Sequence, residues 1–329
     1  MESFLFALNA VAPIVIMMVL GYILKTLKFF DLDFIKTANK MVFRVLLPAM
    51  LFLNIYKIES LGTVNLGYVL YALVAVVVVF LAAGGAVMVF TKNNRHRGVL
   101  LQSAFRSNYA LIGLPLAGAL FGEAGIAVAA ILSAFAVPSF NILAVISLSV
   151  FTENKQGQGH IKNVLIGILK NPLIQGVFAG LLTVAIREIF SACSIDWRLS
   201  EIEPLFKVLN YLSNTATPLA LIVLGAQFEF SAVKSLRREI IFGTVLRTAI
   251  VPLTVLGTAV IFFRDAFGGA EYAAITALFA TPVAVSSVPM AQEMDADVTL
   301  AGQLVVWTTL MSIATIFLSS LIMKQIGIF

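Results

Sequence analysis

Two short runs place polar, helix-breaking and conformationally permissive residues inside stretches that are otherwise apolar enough for lipid. The first is Asn108-Tyr109-Ala110-Leu111-Ile112-Gly113-Leu114-Pro115 and the second is Thr281-Pro282-Val283-Ala284-Val285-Ser286-Ser287-Val288-Pro289. Proline in a helix interior costs roughly 3 kcal/mol. Hydrocarbon offers no water to the carbonyls it frees, so such breaks survive only where they line a cavity or are buried in protein. A helix interrupted at mid-membrane exposes a positive half-helix end whose N–H groups attract an anion, an effect worth about 0.3–2 kcal/mol. Asn108 adds amide donors beside the first break, and Thr281, Ser286 and Ser287 add hydroxyls beside the second. With Tyr109, Gly113, Leu114, Pro115, Pro282 and Pro289 shaping the chain around it, the pattern predicts a site for a small, at least partly anionic ligand such as a carboxylate.

Three arginines lie several residues inside apolar stretches: Arg44, Arg106 and Arg247. At about 1.5 Å of rise per residue, Arg44 and Arg247 are close enough to a span end to snorkel. Arg106 stands two residues before Asn108, where drawing an anion to the break is the alternative to snorkelling. Asn141 reads as an interhelical hydrogen-bonding residue, with support of the break from a neighbouring span as its alternative. Every Asp and Glu falls at a span end or in a loop, so a buried carboxylate of the kind that proton relays employ is not written in the sequence. A coupling ion, H⁺ or Na⁺, is left open, because carbonyls freed at the breaks together with Thr281, Ser286 or Ser287 can hold a cation.

The elements that must position these residues follow from composition. The chain of 329 residues is 60% hydrophobic and 12% charged, with a mean hydropathy of +1.00, far from the balance of a soluble domain. Stretches long enough to cross about 30 Å of hydrocarbon number ten, at 4–24, 38–56, 66–90, 98–120, 124–151, 163–190, 204–227, 239–263, 270–292 and 298–323. The expected fold is an all-α polytopic membrane protein in contact with lipid. The apolar start lacks a basic leader and a cleavage pattern, so it reads as the first span rather than a signal peptide. Lysines and arginines concentrate after odd-numbered spans, as in Lys25, Lys28 and Lys36, then Lys92, Arg95 and Arg97, then Lys234, Arg237 and Arg238. By the positive-inside rule those loops are cytoplasmic and both termini lie outside.

The hydrophilic segment 152–162 reads as a cytoplasmic linker between a five-span repeat at 1–151 and a second at 163–329. Five is odd, so a duplicated second half is inverted. A shift of 174 residues sets Pro289 on Pro115, Ala284 on Ala110, Phe279 on Phe105 and Thr281 on Ser107, and the second span of each half also carries a proline, Pro48 and Pro218. A pair of broken spans at matching positions outweighs the reading of Pro115 as a simple kink.

Other classes fit poorly. The net charge of +5 is spread over short loops and forms no nucleic-acid patch. The single cysteine, Cys193, excludes an intramolecular disulfide, and two histidines, His96 and His160, both expected in loops, leave little material for a metal. No cofactor is indicated. A membrane enzyme lacks an intramembrane histidine or a nucleophile with its base. A sensor that binds a small anion without moving it is the alternative from another class.

The run Asn108 to Leu116 resembles the fourth-span pattern of the auxin efflux carrier family, an asparagine followed by Gly-x-Pro, with Phe121-Gly122 after it. Pro218-Leu219-Ala220-Leu221 with Gly225-Ala226, and Pro282 with Ala291-Gln292-Glu293-Met294, resemble the patterns of the seventh and ninth spans. Plant members of that family have proline at the position of Ser287, whereas this chain has Pro289. The resemblance implies ten spans, with helices 1, 2, 6 and 7 as scaffold and helices 3–5 and 8–10 as transport domain. It further implies that helices 4 and 9 cross at their breaks, that a carboxylate binds near the crossing at Asn108 and the backbone of Gly113 to Pro115, and that movement is elevator-like. A homodimer through helices 2 and 7 and a place in the bacterial inner membrane follow from the same resemblance. A sodium-coupled symporter of the bile-acid type shares the crossed-helix plan and is the alternative within transport.

Overall fold

The computed structural model describes residues 2–57, 65–151, 169–194 and 197–329. The segment read as a linker, 152–162, and His160 within it lie outside the described residues. Those that are described form helices and one isolated antiparallel bridge, with no strand. In chain order the helices are α1 (Glu2–Thr26), α2 (Leu32–Met41), α3 (Leu47–Tyr56), α4 (Leu66–Phe90), α5 (Asn94–Phe105), α6 (Leu114–Val150), α7 (Pro172–Ala192) and α8 (Glu203–Gln227). There follow α9 (Phe230–Ser235), α10 (Arg237–Val245), α11 (Val251–Phe263), α12 (Gly269–Ala280), α13 (Ser287–Glu293) and α14 (Val298–Gln325).

Among the described residues, seven helical stretches are long and apolar enough to cross a membrane: Leu32–Tyr56, Leu66–Phe90, Tyr109–Val150, Pro172–Ser191, Glu203–Gln227, Arg237–Phe263 and Val298–Gln325, with Ala12–Thr26 a shorter apolar helix. The difference from ten has local causes. The stretches 98–120 and 270–292 are interrupted, so α5 and α12 have 12 residues each and α13 has seven. Tyr109–Val150, in turn, runs through two expected spans. Within α6 the chain turns at Phe121 and Gly122, where Gly122 has φ +62 and ψ −152, a combination open essentially to glycine alone. That turn lies where the sequence separates 98–120 from 124–151.

Prolines explain a recurring irregularity. Val42–Leu46, Tyr109–Gly113 and Leu246–Ile250 are π-turns, and each is followed after one residue by a proline: Pro48, Pro115 and Pro252. The ring clashes with the carbonyl four residues back, so the chain widens, and the residue before each proline donates five residues back, Leu47 to Val42, Leu114 to Tyr109 and Val251 to Leu246. The widened turn absorbs the proline without breaking the helix. Pro115 therefore does not interrupt its span, which corrects the expectation that this proline marks a break rather than a simple distortion of the helix. The interruption lies upstream, at Arg106, Ser107 and Asn108, between α5 and the π-turn. In the second run Pro282 lies in the break, while Pro289 is the third residue of α13, where a helix has no internal partner to lose.

The helices pack as lipid-embedded helices do, through small residues. α1 lies along α8 and α3 along α7. A side-chain atom added at Gly225 would fall 1.8 Å from the Met18 carbonyl oxygen. Separately, α12 lies along α6, and α14 touches α10, α12 and α13. His96, expected in a loop, is in the first turn of α5, and its ring nitrogens lie 3.5 Å from Glu239 Oε1 and 3.2 Å from Asp297 Oδ2.

Pro252 frees the carbonyl of Thr248, and the Thr315 hydroxyl on α14 donates to it at 2.7 Å. Replacing Thr315 by valine removes that donor at almost unchanged shape and leaves a buried carbonyl unpaired. The expected loss is about 1–3 kcal/mol, read as a lower unfolding temperature in detergent. In a P252A background, where the backbone regains an N–H, the same substitution is expected to cost less.

Candidate functional site

The two interrupted segments cross and hydrogen-bond to one another. Asn108 N donates to the Pro282 carbonyl at 2.8 Å, Ala284 N donates to the Arg106 carbonyl at 3.2 Å, and Ser107 faces Val283 in an antiparallel bridge. The hydroxyls of Ser107 and Thr281 are 2.6 Å apart. Arg106 and Thr281 have extended backbone, which ends α5 and α12 there. The crossing thus satisfies the groups that each break exposes, as a medium without water requires.

Four helix ends meet at this point. α5 and α12 arrive with their carbonyl ends, whereas the π-turn leading into α6 and the short α13 depart with their N–H ends. On the departing side a cavity of about 60 Å³ is lined by Arg106, Ser107, Asn108, Tyr109, Asn141 and Ser286, and its apolar wall includes Leu47, Met50 and Leu51 of α3. Arg106 is 3% exposed. Its guanidinium donates to Gln102 Oε1 at 3.0 Å, Asn141 Oδ1 at 2.8 Å and Ser286 Oγ at 3.0 Å, and lies 2.9 Å from Met290 Sδ. All of those partners are neutral. Asn141 is oriented by its own amide, which donates to the Val137 carbonyl at 2.8 Å. Asn108 Nδ2 is buried in the same place without a hydrogen-bond partner. Arg106 is thus a buried cation whose hydrogen-bond partners are all neutral, beside an amide donor without a partner.

The remaining sequence-selected residues are distributed unevenly. Tyr109 is buried, and its hydroxyl donates to the Ala129 carbonyl at 3.2 Å, so the ring anchors the turn while its edge borders the cavity. Gly113 lies under that ring, Leu114 is half-buried and Pro115 is exposed; none of these three is among the residues lining the cavity. Pro282 acts through its carbonyl, and Ser287 is buried with its hydroxyl unpartnered. Pro289 is buried in α13, away from the lining.

Arg44 and Arg247 part company. Arg44 is a surface residue, its side chain 54% exposed, and it pairs with Glu293 at 2.8 Å. Arg247 does not snorkel: it is 0% exposed. Its guanidinium donates to the Thr281 carbonyl at 2.7 and 3.0 Å, to Leu278 at 3.2 Å and to Ala104 at 3.2 Å. Those carbonyls belong to the ends of α5 and α12, whose negative dipole ends hold the charge more strongly than the distance to the membrane surface draws it out. Arg106 and Arg247 are the charged side chains in the buried class, which contains no Asp or Glu among the described residues. Gln102 also escaped the sequence reading, although its spacing four residues before Arg106 on one helix was a usable signal.

The sequence model of a membrane transport protein family matches residues 6–319. The chain belongs to that family. It is the auxin efflux carrier family whose motifs the fourth and ninth apolar stretches resemble. With seven apolar helices of spanning length, this family member is an integral membrane protein. It is similar to an uncharacterized transporter of Methanothermobacter thermautotrophicus, 24% identical over 323 residues, or 97% of this chain and 99% of that protein. It is also similar to an uncharacterized transporter of Methanocaldococcus jannaschii, 26% identical over 232 residues, or 69% of this chain and 70% of that one. The crossing therefore belongs to a membrane transport protein.

A side-chain carbon at Gly113 would fall 2.3 Å from Tyr109 Cδ2, and the ring is pinned by its hydroxyl. Gly113→Ala is expected to cost about 1–3 kcal/mol through overpacking, measured as a fall in unfolding temperature. Replacing Tyr109 by leucine in the same chain is expected to recover part of that loss by removing the obstructing ring.

Proposed function

We propose that the protein moves small organic anions, carboxylates and in particular dicarboxylates or other small carboxylic acids, across the membrane by alternating access at the crossing. The observation that carries this reading is the Arg106 guanidinium, buried among neutral partners and facing a small cavity beside the unpartnered amide of Asn108. A carboxylate gives that guanidinium its missing counter-charge and gives Asn108 Nδ2 an acceptor. Charge-assisted hydrogen bonds of this kind are the stronger class. Tyr109 and Ala110, in the first turn after the break, also line this cavity, and the start of a helical turn favours the same sign of charge. About 60 Å³ is room for a carboxylate head rather than for a whole substrate, so binding requires the apolar wall of α3 to draw back.

In this reading α1 to α3 with α7 and α8 form the scaffold, and the crossing travels with α4 to α6 and α10 to α14. The two halves are inverted repeats of five spans each, at 1–151 and 163–329. The direct contact between Ser107 and Thr281, residues that correspond under the 174-residue shift, supports that symmetry. Movement is elevator-like, the basic loops face the cytoplasm of a prokaryotic cell, both termini face outward, and two copies associate through α3 and α8.

The test is a thermal-shift series of the purified protein against succinate, malate, lactate and a choline control, followed by uptake of the stabilising acid into proteoliposomes. A carboxylate is expected to stabilise the protein and to cross the bilayer. Arg106→Gln is expected to weaken binding about 10- to 100-fold, and Asn108→Ala is expected to abolish uptake with normal membrane insertion. Stabilisation by cations only would overturn the reading, and binding without flux would turn it into a sensor.

A further inference from the structure

The carbonyl side of the crossing is a different place from the anion cavity and has its own occupant. A helix leaves its last carbonyls without internal partners and carries roughly half a negative charge at that end. Here two such ends, of α5 and α12, meet in the interior, and the unwound Thr281 adds another oxygen. In transporters built on broken helices, carbonyls of this kind are what a coupling cation binds. In this chain the Arg247 guanidinium fills the position with four hydrogen bonds to three carbonyls, those of Ala104, Leu278 and Thr281. Two nearby hydroxyls, of Ser107 and Thr281, bond to each other. The π-turn at Leu246–Ile250 presents the side chain from a neighbouring helix, and that turn is set by Pro252.

We propose that Arg247 is a resident cation at the crossing, covalently supplied where a sodium ion would otherwise bind, and that it makes binding and stability independent of added monovalent cation. The argument has three parts. A guanidinium keeps its charge and offers donors in a fixed fork, so it can serve several carbonyls at once. The side chain is wholly buried and no carboxylate is buried with it among the described residues, so its counter-field comes from the helix ends themselves. The carbonyls it takes come from both interrupted segments, so its charge holds the two together in the way a shared ion would.

A purely structural arginine and a stand-in cation differ in one measurable respect, the identity of the salt. Unfolding temperatures of the wild type, Arg247→Lys, Arg247→Ala and Arg247→Gln are compared in sodium, lithium, potassium and choline chloride at equal ionic strength. The wild type and Arg247→Lys are expected to unfold at the same temperature in all four salts. Arg247→Ala and Arg247→Gln are expected to be destabilised in choline and to recover, in a saturable manner, by about 2–4 °C or more with a small metal cation. Gln retains more of the side-chain volume and carries the same expectation if the alanine variant cannot be recovered. A sodium-specific stabilisation of the wild type overturns the proposal, and so do neutral variants that are destabilised equally in every salt or not at all. Because the readout is cation-dependent stability, it stands or falls separately from carboxylate binding at Arg106.

Discussion

Inside hydrocarbon every backbone N–H and C=O that leaves a helix has to find a protein partner, and the organisation of this transporter follows from where those partners come from. An unsatisfied group costs several kcal/mol in that medium, and each interruption here would leave several. The two interruptions instead answer each other, with Asn108 N on the Pro282 carbonyl and Ala284 N on the Arg106 carbonyl. Proline suits position 282, where the chain needs a carbonyl for Asn108 and no N–H. Neither break is tolerable without the other, so the crossing is a single unit whose existence depends on the long-range fold that brings α5 and α12 together.

The same unit separates charge. Carbonyl ends converge on Arg247, which neutralises them and is sealed from solvent, whereas Arg106 lies beside the cavity among neutral acceptors. Two buried guanidiniums of one sign on either side of the same crossing would repel. The arrangement is tolerable because one sees two helix C-termini and the other sees amide and hydroxyl oxygens. Arg106 has the less complete environment of the two, since its partners are isolated dipoles and not aligned helix ends.

The all-helical, membrane-embedded character was legible in the sequence, because long apolar stretches follow directly from the chemistry of a bilayer. The register of 174 residues paired Ser107 with Thr281, and their hydroxyls touch. What the sequence did not disclose has common physical causes. A proline signals a displaced carbonyl but not whether a π-turn will absorb it, so the sequence points to Pro115 although the break lies at Arg106 to Asn108. Arg247 was read from its distance to a span end, while its real partners are backbone carbonyls of helices distant in sequence, which no residue type advertises. The apolar wall of Leu47, Met50 and Leu51 belongs to tertiary packing and leaves no local signal, whereas Gln102 and Asn141, polar residues in apolar stretches, were at least visible.

The cavity is also asymmetric in a way that bears on how a ligand would move. Its polar groups, Arg106, Asn108, Asn141 and Ser286, all belong to the crossing and to α6, while α3 and Leu173 of α7 contribute apolar surface. Parting an apolar wall from the site exposes it to surroundings of similar polarity and breaks no hydrogen bond to the ligand. Polar links between the two sides lie farther out, where Arg44 pairs with Glu293, and Asn39 and Gln227 donate to Gln292. A half-exposed ion pair such as the first contributes about 0–1 kcal/mol, a weak restraint. Under the proposed function, a ligand held by these groups would keep its polar contacts through such a separation, which would break apolar contacts and weak surface links.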